Sequence, residues 1–594
     1  MIVCIAEKPS VARDIARILG ATISKDGYME GNGYQVTWTF GHLCELKEPN
    51  DYQPNWRYWT LAALPMVPAR FGIKLIPNEG IEKQFNIISK LYAEADEIIN
   101  CGDAGQEGEL IQRWVMQMAH VKCPVKRLWI SSMTDEAIKE GFQNLKPQES
   151  YESLYLAGLC RAIGDWMLGM NATRLYTLMY GLNHQVLSIG RVQTPTLALI
   201  VQRQKEIDNF KPEPYWILST IYRDTLFTAA AGRFNSDEEG RQAFTLIEGR
   251  PFTVKSVEKK QGKEAPRQLY DLTSLQVDCN RKFGFSAELT LNLIQGLYEK
   301  KLTTYPRVDT QYLSDDIYAK CPSILNGVSQ TTRSGQKPYL EIIKQLAAIS
   351  PKLPKTKRVF DSSKVTDHHA IIPTEQRPNY MALSDLEFKI YNLVSKRFLE
   401  NLLPEYRYIE TTYLFKLENK EFIAKGIKVL EEGYKVLSKE DLNNKNVSLD
   451  KNEYKLDSLI YNKKQTTPPS YYTEGSLIYA MENPFEFVED EKERKILKET
   501  NGIGTVATRA DILEKLFSND YLILDNGRIK TTNKAKQLLN LVPKNLKSPS
   551  LTAVWEKQLD SIAKNKLSKE KFLNDIKRYT HDCINEIKNS EDKF

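Results

Sequence analysis

The hydrophobic pattern of this chain switches repeatedly between two periods, and the switches mark its elements. "IVCIA" (2–6) is a short apolar run of strand type, and "EKPSVARDIARILG" after it puts Val11, Ile15, Ile18 and Leu19 on one helical face, with Gly20 as a stop. The same grammar returns at 97–119, where "EIINCG" leads into "DAGQEGELIQRWVMQMA" with Leu110, Trp114, Val115 and Met118 at helical spacing. Both units place a loop at the carboxyl end of a strand, the edge where open α/β sheets bind ligands. Glu7, Asp103 and Glu107 are then expected in one crevice, beside Gly102, Gly105 and Gly108.

Farther along, 151–212 reads as helical, with a continuous apolar face in "LYLAGLCRAIGDWMLGMNATRLY". From "KPEPYW" at 211 short alternating runs such as "YWILSTIY" indicate strands. Residues near 266–397 return to helix, and strand-like sequence resumes at about 408–462, interrupted by the polar loop "SKEDLNNKNVSLDKNEYK". After "TTPPS" (466–470), "ATRADILEKLF" and "YLILDNGRIKTT" predict a helix and a hairpin about Asp525-Asn526-Gly527, the shape of a winged helix.

With 594 residues the chain is too long for one core, so several domains are expected. Its 41% hydrophobic and 27% charged residues are ordinary globular values. The start, "MIVCIAEKPS", is too short an apolar run and too soon charged for a signal peptide, which leads us to expect a cytoplasmic protein. Eight cysteines without a C-x-x-C pair argue against a disulfide framework and a zinc ribbon. A net charge of +6 permits a polyanionic partner without demanding one. Between Asp525 and Glu556 no acid occurs, whereas Arg528, Lys530, Lys534, Lys536, Lys544 and Lys547 do: a solvated basic face or a backbone-binding one.

Gathered carboxylates repel unless a cation neutralises them, and Mg²⁺ is the usual partner of such oxygen ligands. Lys8 supplies a point charge suited to phosphate. The alternative is that Asp103 and Glu107 only complement a helix N-terminus. No G-x-x-x-x-G-K-[ST] loop is present, so ATP hydrolysis on a P-loop is not indicated.

In "LTTYPRVDT" (302–310) a tyrosine precedes proline. The helix predicted just before it, "FSAELTLNLIQGLYEKK", has Ser286 as N-cap and should stop near Lys301. Pro306 pushes Tyr305 toward extended backbone, fixing it on a rigid turn. Arg307, two residues on, then points the same way and can hold a phosphate for attack by the phenol. A tyrosine of ordinary pKa near 10 needs neighbours that favour its phenolate. In "DHHAIIPT" (367–374) adjacent histidines on extended backbone face opposite sides, so one of them can face a phosphate.

Six motifs in order, "AEKPS", "GDAGQEGEL", "SIGRVQTPTLALI", "LTTYPRVDT", "DHHAIIPT" and "NGIGTVATRAD", resemble those of the type IA DNA topoisomerases, most closely their bacterial topoisomerase III branch. The resemblance covers about residues 1–560. It implies a multidomain α/β plus α and β fold, with a Rossmann-like Toprim domain and three further domains closing a ring around DNA. The implied division is 1–150 Toprim; 151–212 with 471–594 a helical DNA-binding domain; 213–265 with 398–470 a β-rich hinge; and 266–397 the domain carrying Tyr305.

By the same resemblance Tyr305 attacks a single DNA strand and forms a 5′-phosphotyrosyl link. Arg307 holds the phosphate, Glu7 serves as general acid and base, Lys8 stabilises the scissile phosphate, and His368 is the functional histidine. Mg²⁺ would be held by Glu7, Asp103 and Glu107. Ser188, Ile189, Gly190, Arg191, Val192 and Gln193 look like the strand-binding segment, and Thr508 and Arg509 a further backbone contact. DNA is the implied partner, bound by a monomer, with a helicase as a possible associate. Many relatives carry aspartate where this chain has Gly105, arginine at Gln106 and proline at Val506. A two-ligand magnesium site, weaker or sharing Glu7, is therefore expected in preference to a three-acid one. Competing readings are a Toprim primase or metal-dependent nuclease with a structural Tyr305, a non-catalytic single-strand clamp, and a tyrosine recombinase, which lacks the acidic pocket and attaches the opposite strand end.

Overall fold

The computed structural model describes the chain apart from residues 131–132, 182–184, 332–336, 338, 350–352, 366–367, 380–382, 439–452, 456, 489–490, 499–501 and 590–594. Its N-terminal sheet has seven strands with a parallel centre. Ile2–Ala6 lies between Tyr34–Trp38 and Glu97–Cys101, parallel to both, and Val125–Arg127 extends the parallel set. Strands buried on both faces must be apolar throughout, which is why "VCIA" and "IINC" carry no charge. Helix Pro9–Leu19 starts on a proline, whose missing N–H costs nothing there, and ends at Gly20 with φ +79°.

A second seven-stranded sheet is antiparallel and draws on two separate stretches of chain. Pro214–Tyr222, Thr225–Phe234 and Phe252–Glu264 come from one stretch; Tyr406–Leu417, Lys420–Glu431, Glu453–Tyr454 and Ser458–Gln465 come from the other. Its core is aromatic: the Phe415 ring stacks on Phe227 at 4.1 Å and on Phe252 at 4.3 Å. The loop expected over 438–455 lies largely outside the described residues.

Helices Glu152–Tyr180 and Gln193–Asp208 occupy the predicted helical stretch, and Arg509–Ser518 leads into the hairpin Leu522–Asp525 and Arg528–Thr531. At that turn Asn526 and Gly527 both have positive φ, 50° and 76°, as an Asn-Gly hairpin requires. One continuous apolar core joins the N-terminal sheet (Ala6, Ile99), helix Glu152–Tyr180 (Met167, Leu168), the segment carrying Tyr305 (Leu291, Ile294) and the C-terminal helices (Leu513, Leu559). Among the described residues no helix is long and apolar enough to cross a membrane.

Candidate active site

Three parallel strands end flush, because Ala6 stands opposite both Trp38 and Cys101. The residues that follow them, Glu7, the loop 39–42 and the loop 102–105, therefore leave the sheet at one edge. Hydrogen bonds bind the first two together: the Thr39 hydroxyl donates to the Glu7 carbonyl at 3.0 Å and the Gly41 N–H to the same oxygen at 3.3 Å. The third loop is held from beneath by Arg127, which is wholly buried. Its guanidinium donates to the carbonyls of Gly102 (2.6 Å) and Asp103 (2.8 Å) and pairs with the buried carboxylate of Glu109. Gly108 sits so close that a Cβ there would come within 2.0 Å of the Asp103 carbonyl, so only glycine fits. Gly105 differs: its backbone is extended (φ 164°) and a Cβ would meet nothing within 4 Å.

Tyr305 approaches from the other side. Helix Ala287–Glu299 is capped by Ser286, whose hydroxyl accepts from the Leu289 N–H at 3.0 Å, and Lys301 turns the chain at φ +64°. The segment 302–304 then pairs with 370–374: the Thr304 N–H donates to Ile372 (3.0 Å) and the Thr374 N–H to Leu302 (3.1 Å). That pairing brings the Tyr305 ring to 4.4 Å from His368, and Tyr298 meets it edge-on at 5.5 Å. His368 donates from Nε2 to the Ala104 carbonyl of the acidic loop and lies parallel to Trp129 at 6.2 Å. Trp129 stacks in turn on Tyr151 at 4.7 Å. His369 faces away, donating from Nδ1 to Ala370 at 2.8 Å.

These groups feel one another strongly. Burial and the charge of Asp103, with help from Glu107 and against Lys8 and Arg307, push the Glu7 carboxyl up to about 8. Burial also raises Asp103, although Lys8, Arg307 and Arg127 oppose it. Burial, then Asp103, lifts the Tyr305 phenol well above its ordinary value, with Arg307 pulling the other way. Glu107 is held below the usual carboxylate range by His42 at 3.6 Å and Arg307 at 3.1 Å. Burial lowers His368 to about 4, so its imidazole is neutral at physiological pH. Glu7, Lys8, Phe40, His42, Glu107, Glu299 and Arg307 line an open cleft of ≈ 470 Å³, across which Lys8 reaches Glu299 at 2.8 Å.

Among the described residues no three His, Cys, Asp or Glu side chains are assembled to hold a metal ion. Glu107, expected as a ligand, is turned instead toward His42 and Arg307. Glu7 and Asp103 remain as a half-buried, mutually repelling pair of hard oxygen donors. That pair suits a cation that keeps most of its water, as Mg²⁺ does.

The remaining candidate residues lie elsewhere. Arg191, the expected phosphate contact, is buried, with its guanidinium on Asp165 and Glu556, each at 2.8 Å, while Arg161 shares Glu556 at 2.6 Å. Its two acids outweigh burial and keep it charged, and the same arginines, against burial, hold Glu556 down to about 2. Arg509 is likewise an internal strut, reaching Thr273 at 2.9 Å and Glu482 at 3.3 Å. In this arrangement neither is open to a phosphate, and the spacing within the motifs does not disclose these carboxylates, which lie outside them. Ser188 donates its N–H to nothing in the motif itself but to the Tyr521 hydroxyl at 2.9 Å, and its own hydroxyl meets Gln193 at 3.4 Å. Ile189 is buried, Gly190 binds the Thr194 hydroxyl through its N–H at 3.1 Å, and Val192 precedes the helix that begins at Gln193. Thr508 meets the Thr505 hydroxyl at 3.0 Å. Sequence reading did not single out Arg127, Trp129, His42 or Glu299. Only the pairing of distant segments brings them to the site.

Comparison with known proteins agrees with this architecture. Residues 2–133 match the model of the Toprim domain and residues 149–574 the family model described as DNA topoisomerase. The chain is 43% identical to a DNA topoisomerase 3 of Bacillus thuringiensis, covering 100% of this chain and 82% of that protein. With the Bacillus subtilis protein of the same name the identity is 42%, over the same shares. The structure superposes on full-length topoisomerase I from Thermotoga maritima with a TM-score of 0.73, covering 98% of this chain and 90% of that one, at 22% identity. A sheet-edge cluster of acids facing a buried tyrosine, on a chain matched from end to end, belongs to the type IA DNA topoisomerases, and this chain is a member of that family.

Proposed function

We propose that this protein changes DNA topology without ATP, by cutting one strand, passing another through the gap and resealing. The observation that carries the reading is the meeting of Tyr305 with His368, Arg307, Glu7 and Asp103 across the seam between the N-terminal sheet and the segment 302–310. In the proposed step the Tyr305 oxygen bonds to phosphorus and gives its proton to water in the open cleft while the P–O3′ bond breaks, leaving a 5′-phosphotyrosyl link. Glu7, protonated up to about pH 8, gives its proton to the departing 3′ oxygen and takes it back on resealing. Arg307 and Lys8 exchange their carboxylate partners for the phosphate and stabilise its growing charge. His368, neutral and anchored to Ala104, fixes the tyrosine ring. The energy of the cut bond is stored in the protein link, so no nucleotide is consumed.

Asp103, and Glu7 whenever it has given up its proton, would hold Mg²⁺, which would supply positive charge to neutralise the acidic pair. We place the protein in the cytoplasm, acting as a monomer on negatively supercoiled or catenated DNA, with a helicase as a candidate associate. The domain limits given by the resemblance are adopted with this reading. The test mixes protein with end-labelled single strand and quenches with denaturant. The label expected on the protein is that of the fragment beginning at the 5′ phosphate, and Tyr305→Phe should trap nothing. Cleavage without a covalent adduct would favour a nuclease; a 3′ adduct, a recombinase.

A further inference from the structure

We propose that Phe40 is a base-stacking residue that receives a nucleobase of the cut strand beside the scissile phosphate. The assignment deepens the strand-cleavage reading and rests on it. Phe40 stands on the wall of the cleft that Glu7, Lys8, Glu107 and Arg307 line, and it is 53% exposed. Single apolar residues in water are common on protein surfaces. This one is distinguished by its place, because the backbone on either side of it is pinned to the strand end that carries Glu7. Thr39 before it is fully buried, its N–H donating to Ala6 at 2.9 Å and its hydroxyl to Glu7 at 3.0 Å. Gly41 after it donates to Glu7 at 3.3 Å and turns the chain at φ +80°. The Phe40 backbone is therefore held beside Glu7, and its half-exposed side chain borders the cleft.

An occupant that engages both the ring and the two cations of the same cleft, Lys8 and Arg307, offers a flat apolar face next to an anionic group. A nucleotide has both, and single-strand sites combine these two contacts: cations follow the backbone and aromatic faces take the bases. Such stacking tolerates any base, so removing a base should be felt more than exchanging it.

Binding is measured by fluorescence anisotropy in a Tyr305→Phe background, using strands with one abasic position moved along the cleavage site mapped with unmutated protein. Phe40→Ala should weaken binding of the intact strand about tenfold. One abasic position, next to the scissile phosphate or one further, should weaken binding to the Phe40 protein by a similar factor and leave Phe40→Ala unaffected. Phe40→Trp should keep the position-specific loss, whereas Phe40→Leu, apolar but without a ring, should behave as Ala. Equal abasic losses in the Phe40 and Ala proteins at every position, or tight binding by Phe40→Leu, would overturn the assignment. Failure of Tyr305 to form its adduct would instead remove the cleavage reading; the abasic position is then moved along the whole strand, and the binding comparison of the Phe40 and Ala proteins still stands or falls by itself.

Discussion

Glu7 stays protonated to about pH 8 in the folded chain, against an ordinary 4.5, because it is buried beside Asp103. The unfolded chain ionises it earlier, so its contribution to stability is fullest below pH ~4.5, declines as pH rises, and levels off above about 8. Glu7→Gln should therefore gain stability over the parent as pH rises from 5 to 9, on the order of a few kcal/mol at the upper end. The two should nearly coincide at low pH; thermal melts across that range check it, and a constant difference would refute the shared-charge explanation. Because metal competes with the same proton, Mg²⁺ affinity by calorimetry should rise over the same interval. The glycines of the acidic loop make a second contrast. Gly105→Asp adds a carboxylate on extended backbone with open space before it, so folding should be unchanged and Mg²⁺ should bind about tenfold more tightly. Gly108→Ala drives a methyl into the Asp103 carbonyl and should lose roughly 1–3 kcal/mol along with magnesium binding.

At the scale of elements, the N-terminal strands and helices follow from local pattern, since "IVCIA" and the Val11 to Leu19 stripe need no distant partner to be read. The pairing of 302–304 with 370–374 was beyond that reading, because some seventy residues intervene and neither segment is a regular strand. The adjacent histidines were legible as facing opposite ways, yet only this pairing sends His368 toward Tyr305. Arg127 carries no motif that would single it out in the sequence, although it holds up the Asp103 loop. Arg127→Met should leave Glu109 buried with Arg113 alone and cost roughly 3–5 kcal/mol. Covalent adduct formation should fall further than Tm explains, a split measured by comparing melts with adduct yield at a temperature where both proteins are folded.

Over the whole molecule, the seam between residues 1–150 and the tyrosine segment joins apolar packing to a set of ion pairs that cross it. Lys8 meets Glu299 at 2.8 Å, Arg307 meets Glu107 at 3.1 Å, and Lys301 meets Asp14 at 2.8 Å and Asp135 at 3.3 Å. A strand can pass only if this seam parts, and ion pairs of partial exposure part more readily in salt than apolar packing does. Lys301→Met lies away from the proposed chemistry and removes two pairs, each worth roughly 0.5–1 kcal/mol. It should raise the open fraction, read by fluorescence transfer between labels on the two sides, and the difference from the parent should shrink at high salt. An open fraction that ignores both would show that apolar contacts govern the seam.

The amino-acid order alone determined the strand-and-helix units, the winged hairpin and the set of acids at one sheet edge, because these depend on short-range periodicity and on which end of a strand a loop leaves. What only the tertiary structure decided is partnership: that Arg191 and Arg509 are turned inward onto carboxylates, that Glu107 faces Arg307, and that Tyr305 lies against His368. Charge and ring contacts depend on distances of a few ångströms between segments tens to hundreds of residues apart, and no local pattern encodes them.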